Sequence, residues 1–342
     1  MKDHVGIAGL GIYVPDNYMT AKEISEATGG VWEEWAVKEK LGVNKKPIPG
    51  PNDGTEEMGY RAAKDLIDNY NIDPMSIDMI ISIGEEWKEY PLTTSSIYIQ
   101  EKIGAYNAFA FDIQQRCCTN ITAMKVAKDM MIANEDINTV LICGGYRNGD
   151  HIDFKNNRVS FMFNLSAGGG AILLKKNYGR NELLETSIMT DGSFARDVGV
   201  RYGGTVNPIT EENVKEASKT LDVFDVDGMK SRLNEKSTPN FLFVVRDALK
   251  KSGYTQEDLN YLAILHFKHS AHKYILSELG LDESQSVYLS DYGHMGQIDQ
   301  ILSLKLALEQ DKIKDGDIVA TVGAGIGYAW AANVIKWGKI QD

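Results

Sequence analysis

The chain has 342 residues, enough for one large domain or two closely packed halves, and its 43% apolar and 25% charged content is that of an ordinary globular protein. A formal net charge of −12 argues against nucleic acid as a partner. No apolar run approaches the length of a membrane span, and MKDHVGIAGLGIYVP lacks the long apolar stretch of a signal peptide, so a cytoplasmic protein with no membrane partner is expected.

The elements follow in chain order. VGIAGLGIYV reads as a first strand. EEWAVKEKLGV comes next, and Lys38, Lys40, Lys45 and Lys46 make a basic stretch in an acidic protein. That stretch is either a solvated face or a site for nucleotide phosphates or an acidic carrier protein. AAKDLIDNY has helical periodicity and leads through an acidic loop to the strand SIDMIISIG. Glu85 and Glu86 follow that strand and by themselves read as a charged loop. The strand AFAFDI then feeds, through QQRCC, the helix ITAMKVAKDMM. INTVLICGG and GAILLKK read as further strands. GGGA (168–171) is not a phosphate-binding loop, because no Lys-Ser/Thr follows, and is expected to serve close packing.

An irregular region, rich in Gly and Asn, occupies about 188–225. Beyond it FLFVVRDALKKSG reads as a helix, LNYLAILHF as a strand, HKYILSELG and QILSLKLALEQ as helices, and DIVATVGAG as a strand. Helix, acidic loop and strand thus recur: Leu265 occupies the place of Ile83, and DGDIVATVG echoes INTVLICGG. The chain reads as two related halves, 1–187 and 226–342, joined by an irregular connection at 188–225, in an α/β fold with largely buried sheets.

Three cysteines make no disulfide framework, and no Cys/His pair has zinc-site spacing, so no metal is expected. Cys143 lies in an apolar run and reads as a buried small hydrophobe. Cys117 and Cys118 sit where a strand hands over to a helix. Free backbone N–H groups and the positive end of the helix dipole there favour a thiolate and can hold an oxyanion. From position alone, a pair of inert buried cysteines is an equal reading. Of the six histidines, four fall between residues 266 and 294. His266 ends a strand, and by the internal echo His294 mirrors Cys117 on a facing helix start.

The segment FDIQQRCCTNITAM resembles the active-site segment of the β-ketoacyl-ACP synthase III family within the thiolase superfamily. There the nucleophilic Cys follows the Asp of a Phe-Asp pair by five residues, and Cys117 follows Asp112 in that way. The resemblance extends along most of the chain and implies a five-layered α/β/α/β/α thiolase-like fold. It implies that Cys117 forms an acyl-enzyme, that His266 holds or deprotonates the thiol, and that His294 stands where the family has the Asn of a Gly-Asn-Thr turn. GAGIGYAWAA resembles the terminal glycine-rich loop, making the N–H groups of Cys117 and Gly327 the implied oxyanion donors. Trp35 matches the Trp that grips the adenine end of coenzyme A; Lys38, Lys40, His272 and Lys273 are the other implied cofactor-edge contacts, with His269 and His272 at the surface. Tyr90, in EYPLTTSSIYIQEKIGA, matches the residue lent to the neighbouring subunit's acyl pocket, which implies a homodimer. TDGSF resembles another family signature.

The departures are QQR before Cys117, Cys118 and Thr119 after it, and a His-Gln-Ala-Asn motif reduced to His266 alone. The implied chemistry is transfer of an acyl group from coenzyme A or an acyl carrier protein, with no tightly bound cofactor. The expected second step is decarboxylative Claisen condensation with a malonyl thioester. Transfer to a hydroxyl or amine, and an aldol condensation like that of hydroxymethylglutaryl-CoA synthase with Glu85 or Glu86 as base, are the alternatives. A non-catalytic subunit that binds acyl carriers is the alternative from another class.

Overall fold

The computed structural model describes residues 3–218 and 220–340. Its strands are β1 (Val5–Tyr13), β2 (Asn17–Thr20), β3 (Lys45–Ile48), β4 (Met79–Ser82), β5 (Phe109–Asp112), β6 (Thr139–Tyr146), β7 (Gly168–Lys176), β8 (Arg180–Thr190), β9 (Val198–Val200), β10 (Leu221–Val223), β11 (Leu259–Ile264), β12 (Ile318–Gly325) and β13 (Ala329–Lys339). Its helices are α1 (Ala21–Ala27), α2 (Glu34–Ala36), α3 (Thr55–Tyr70), α4 (Ser95–Ile103), α5 (Thr119–Ala133), α6 (Val226–Lys251), α7 (His269–Glu278) and α8 (Asp299–Glu309). Among the described residues no helix is long and apolar enough to cross a membrane.

The main sheet runs β11-β12-β13-β8-β1-β7-β6-β4-β5. Each end repeats one design. From β1 outward the pairings are antiparallel, antiparallel, then parallel, through β7, β6 and β4. From β8 outward they are again antiparallel, antiparallel, parallel, through β13, β12 and β11. The two sets meet at the β1–β8 pairing, recorded at Gly6 and Glu182. Helices α5 and α8 pack against strands of both sets, α3 covers β1, β6 and β7 on the outside, and α6 covers β8, β12 and β13. The result is the five-layered α/β/α/β/α arrangement. β6 is buried at every residue, which is why its sequence is a continuous apolar run rather than an alternating one.

Some boundaries differ from the expected ones. Strand β8, Arg180–Thr190, begins inside the expected first half 1–187 and pairs with β13 of the expected second half 226–342. Its charged residues hide it, since one of its faces is partly solvated. The connection expected to be irregular contains the β9–β10 ribbon. Helix α6 begins at Val226, well before the apolar periodicity starts; its first half is polar, and Pro239 at its middle, which lacks an N–H, masks the helix in the sequence.

Candidate active site

The turn that carries Cys117 is built where β5 ends. The Asp112 carboxylate accepts the N–H groups of Ser95 and Ser96 at 3.0 and 2.9 Å and so caps the start of α4. The chain then tightens. The Gln115 N–H donates to the Thr119 hydroxyl at 2.8 Å, and that hydroxyl donates to the Arg116 carbonyl at 2.5 Å. Arg116 is left in the left-handed region at φ 53°, a conformation that costs a non-glycine residue about 1 kcal/mol. This kink presents Cys117 at the mouth of α5, with 5% of its surface exposed.

Strand β12 supports the turn from behind, and glycine makes the approach possible. A Cβ on Gly325 would stand 2.8 Å from the Arg116 Cβ and from the Gln115 carbonyl oxygen, and 3.2 Å from the Cys117 nitrogen. Gly325→Ala is therefore expected to destabilise the protein by about 1–3 kcal/mol and to slow Cys117 acylation with it. Thermal melts alongside single-turnover acylation check this. Cys118, by contrast, turns its sulfur to the Ala329 carbonyl at 3.4 Å, and burial pushes its thiol up, so it packs rather than reacts. Burial does the same to Cys143 in β6.

His294 is the ring that meets Cys117: its Nε2 lies 3.2 Å from the sulfur. Its Nδ1 lies 2.5 Å from Oδ2 of Asp299, the first residue of α8. The fully buried Asp299 carboxylate also accepts the N–H groups of His266 and Met295, each at 2.7 Å. Burial by itself would lower the pKa of His294. The negative charges of Asp299 and of the Cys117 thiolate outweigh it and raise the imidazole well above its usual 6.5. The arrangement is a Cys-His-Asp hydrogen-bonded chain whose electrostatics favour the protonated imidazole.

The partners of the His266 ring are others than the thiol. Its Nε2 faces the Gly42 carbonyl at 3.0 Å and its Nδ1 faces the Asn164 side-chain amide at 3.0 Å. Both ring nitrogens are occupied, one donating and one accepting, which fixes a neutral tautomer. Burial, with minor help from neighbouring histidines, pulls it down to about 4. His266 contributes its backbone N–H to Asp299 and its ring to the segment around Asn164.

The remaining expected residues are distributed as follows. Gly327 lies in the β12–β13 turn at φ 114°, a conformation open to glycine. Trp35 is 53% exposed with the Lys40 ammonium 4.8 Å over its ring, and Lys38 pairs with Glu34 at 2.6 Å. Lys273 is at the surface and pairs with Glu283 at 2.9 Å. His269 stacks on Tyr288 and also meets Glu283. His272, expected at the surface, is buried instead, edge-on to Tyr288 at 5.1 Å and pulled down to about 3 by desolvation, so it is no contact for a nucleotide edge. Helical periodicity explains the difference: His272 shares the inner face of α7 with Ile275 and Leu276. Tyr90 is 70% exposed beside a cleft of about 500 Å³ shared with Trp87, Glu89 and Arg147. Glu85 is buried, bonded by the Asn148 amide and paired with Arg116 at 3.4 Å, and its carboxyl is raised by that burial. Glu86 is exposed and pairs with the same Arg116.

Sequence reasoning missed Asp299 and Asn164. An acid in the first turn of a helix is commonplace, but one five residues after a histidine already matched to Cys117 was a usable signal. Asn164 had none: it reaches His266 across a sequence distance that no local pattern spans.

Residues 111–192 match the family model 3-oxoacyl-[acyl-carrier-protein] synthase III, and residues 249–337 match the model of that enzyme's C-terminal part, together half of the chain. The chain is 29% identical to the β-ketoacyl-[acyl-carrier-protein] synthase III of Prochlorococcus marinus subsp. pastoris, over 98% of this chain and 97% of that one. Among solved structures, 3-oxoacyl-[acyl-carrier-protein] synthase III from Aquifex aeolicus superposes with a TM-score of 0.82 at 20% identity, covering 97% of this chain and 100% of the other. The priming β-ketosynthase of the R1128 polyketide biosynthetic pathway gives 0.83 at 19%, covering 98% and 97%. Fold, placement of Cys117 and family models converge: the chain belongs to the β-ketoacyl-ACP synthase III family of condensing acyltransferases.

Proposed function

We propose that the protein takes an acyl group from a coenzyme A or carrier-protein thioester onto Cys117 and condenses it, with loss of carbon dioxide, onto a malonyl thioester. The single observation that carries this reading is His294, bridged between the Cys117 sulfur and the buried Asp299 carboxylate. In the first step the thiolate attacks the thioester carbonyl and the former carrier leaves as its thiol or thiolate. The N–H groups of Cys117 and Gly327 are the donors assigned to the tetrahedral oxyanion, each worth about 3 kcal/mol in related chemistry. In the second step the malonyl C–C bond breaks and its electron pair forms an enolate. That enolate attacks the acyl carbonyl, and the C–S bond to Cys117 breaks to return the thiolate.

What favours condensation is the charge state of His294. Acylation removes the Cys117 charge, while the Asp299 carboxylate, bonded to Nδ1, remains beside the ring and favours its protonated form. An imidazolium donates to an enolate oxygen and is a poor base for a hydroxyl or amine acceptor. The aldol alternative needs Glu85 or Glu86 as a free base. Glu85 is raised by burial and engaged by Asn148, and Glu86 is engaged by Arg116. The non-catalytic alternative leaves the Cys117–His294–Asp299 relay without a purpose. Exposed Trp35, Lys38 and Lys40 form the proposed edge for the carrier nucleotide, and exposed Tyr90 the proposed contribution to a partner's acyl pocket in a cytoplasmic homodimer.

Intact-protein mass spectrometry with a panel of acyl-CoA thioesters, followed by malonyl-CoA, tests the reading. The expected result is one added acyl group on the wild type, none on Cys117→Ala, and release of carbon dioxide with a 3-oxoacyl product when malonyl-CoA is added. Discharge of the acyl-enzyme by an added alcohol or amine, with no carbon dioxide from malonyl-CoA, would replace condensation by simple acyl transfer.

A further inference from the structure

Lys46 belongs to the basic stretch that the sequence offers as a solvated face or a phosphate site, and it is neither. Strand β3 turns it inward, leaving 2% of its surface exposed. Its ammonium donates to the carbonyls of Phe163 and Leu165, each at 2.7 Å, and lies 5.0 Å over the Phe154 ring. A lysine with a long flexible stem ordinarily keeps its charge in water, and burying that charge against neutral carbonyls is costly. The desolvation is large enough to pull it down to about 7.

The two carbonyls it holds flank Asn164 in a hydrogen-bonded turn, where Phe163 is helical at φ −62° and ψ −13° and the Leu165 N–H donates to the Met162 carbonyl at 3.0 Å. Between the two carbonyls pinned by Lys46, the Asn164 carbonyl accepts the His294 N–H at 2.8 Å. The Ser166 N–H returns a bond to the His294 carbonyl at 2.9 Å. The Asn164 side chain meets the His266 ring at 3.0 Å. Both catalytic-centre histidines thus hang on one short segment whose register is held from behind by one ammonium.

We infer that Lys46 is a positioning residue for the reaction: its two hydrogen bonds hold residues 163–165 in the register that places His294 against Cys117. The inference rests on the reading of Cys117 and His294 given above. It touches no substrate, so its signature is a loss of Cys117 reactivity without loss of carrier binding.

The test is the rate of Cys117 alkylation by iodoacetamide, read by peptide mass spectrometry, in wild type, Lys46→Met, Lys46→Gln and His294→Ala. Lys46→Met keeps the stem and removes the donors; Lys46→Gln keeps a neutral donor on a shorter arm. The expected result is a loss of about 10-fold for Lys46→Met, an intermediate loss for Lys46→Gln, and an unchanged coenzyme A dissociation constant for both. In isotope-labelled protein, the His294 ring, identified by its absence in His294→Ala, should titrate lower by at least about half a unit in Lys46→Met. If Lys46→Met does not fold, Lys46→Gln decides on the same readouts. Folded variants with wild-type alkylation and an unmoved His294 titration would reduce Lys46 to packing and overturn the inference. Should His294→Ala itself be alkylated at the wild-type rate, the thiol–imidazole pairing falls, and this inference with it.

Discussion

His294→Ala is expected to slow acylation of Cys117 by about 10³-fold, while His266→Ala costs about 10-fold. The difference follows from which ring faces the sulfur. The His294 Nε2 is 3.2 Å from it, so its removal deletes the proton acceptor and the positive charge that steadies the thiolate. Both nitrogens of the His266 ring are committed to Gly42 and Asn164, so its loss loosens the support of the site and leaves the pair that reacts in place. Single-turnover mixing with an acyl-CoA, quenched in acid and read by intact mass, gives both rates. Equal losses would mean that in the working enzyme the His266 ring reaches the thiol as the family resemblance implies.

Asp299→Asn is expected to lower the same rate by about 10²–10³-fold with little change in side-chain volume. The carboxylate accepts three hydrogen bonds, from the His294 ring and from the N–H groups of His266 and Met295. An amide oxygen carries no charge, and its NH2 confronts donors that need an acceptor. The stability effect has a definite pH signature. His294 in the fold is raised above its ordinary value of 6.5, so its protonation adds stability that is fully present below about 6.5. That contribution is lost as pH rises through the raised value. Asp299→Asn should therefore lose most stability relative to wild type at mildly acidic pH, and the gap should narrow on the alkaline side of the His294 titration. Denaturant melts of both proteins across that range measure it. A gap that widens with pH would mean that His294 is neutral in the fold and that Asp299 stabilises it by hydrogen bonding alone.

Much of the molecule is legible along the chain. Apolar runs of strand length alternate with helical periodicity, and a buried strand such as β6 must be apolar on both faces because helices cover both. The internal echo is legible for the same reason: two sets of strands with the same pairing order need the same sequence of buried and exposed positions. Helix starts can be located, and with them Cys117 and His294 on facing elements. The half-exposed β8 and the polar first half of α6 escape because solvated faces and an interior proline carry no apolar period.

Position and residue type along the chain thus suffice for the layered fold, the two-part design and a cysteine that can become an anion at a strand-to-helix turn. Which histidine serves that sulfur is set by packing. His266 is drawn to Gly42 and Asn164, His294 is bonded to Asp299, and Lys46 is pulled from the surface onto the segment between them. Hydrogen-bond direction and desolvation are properties of residues brought together from distant parts of the chain, and no local pattern carries them.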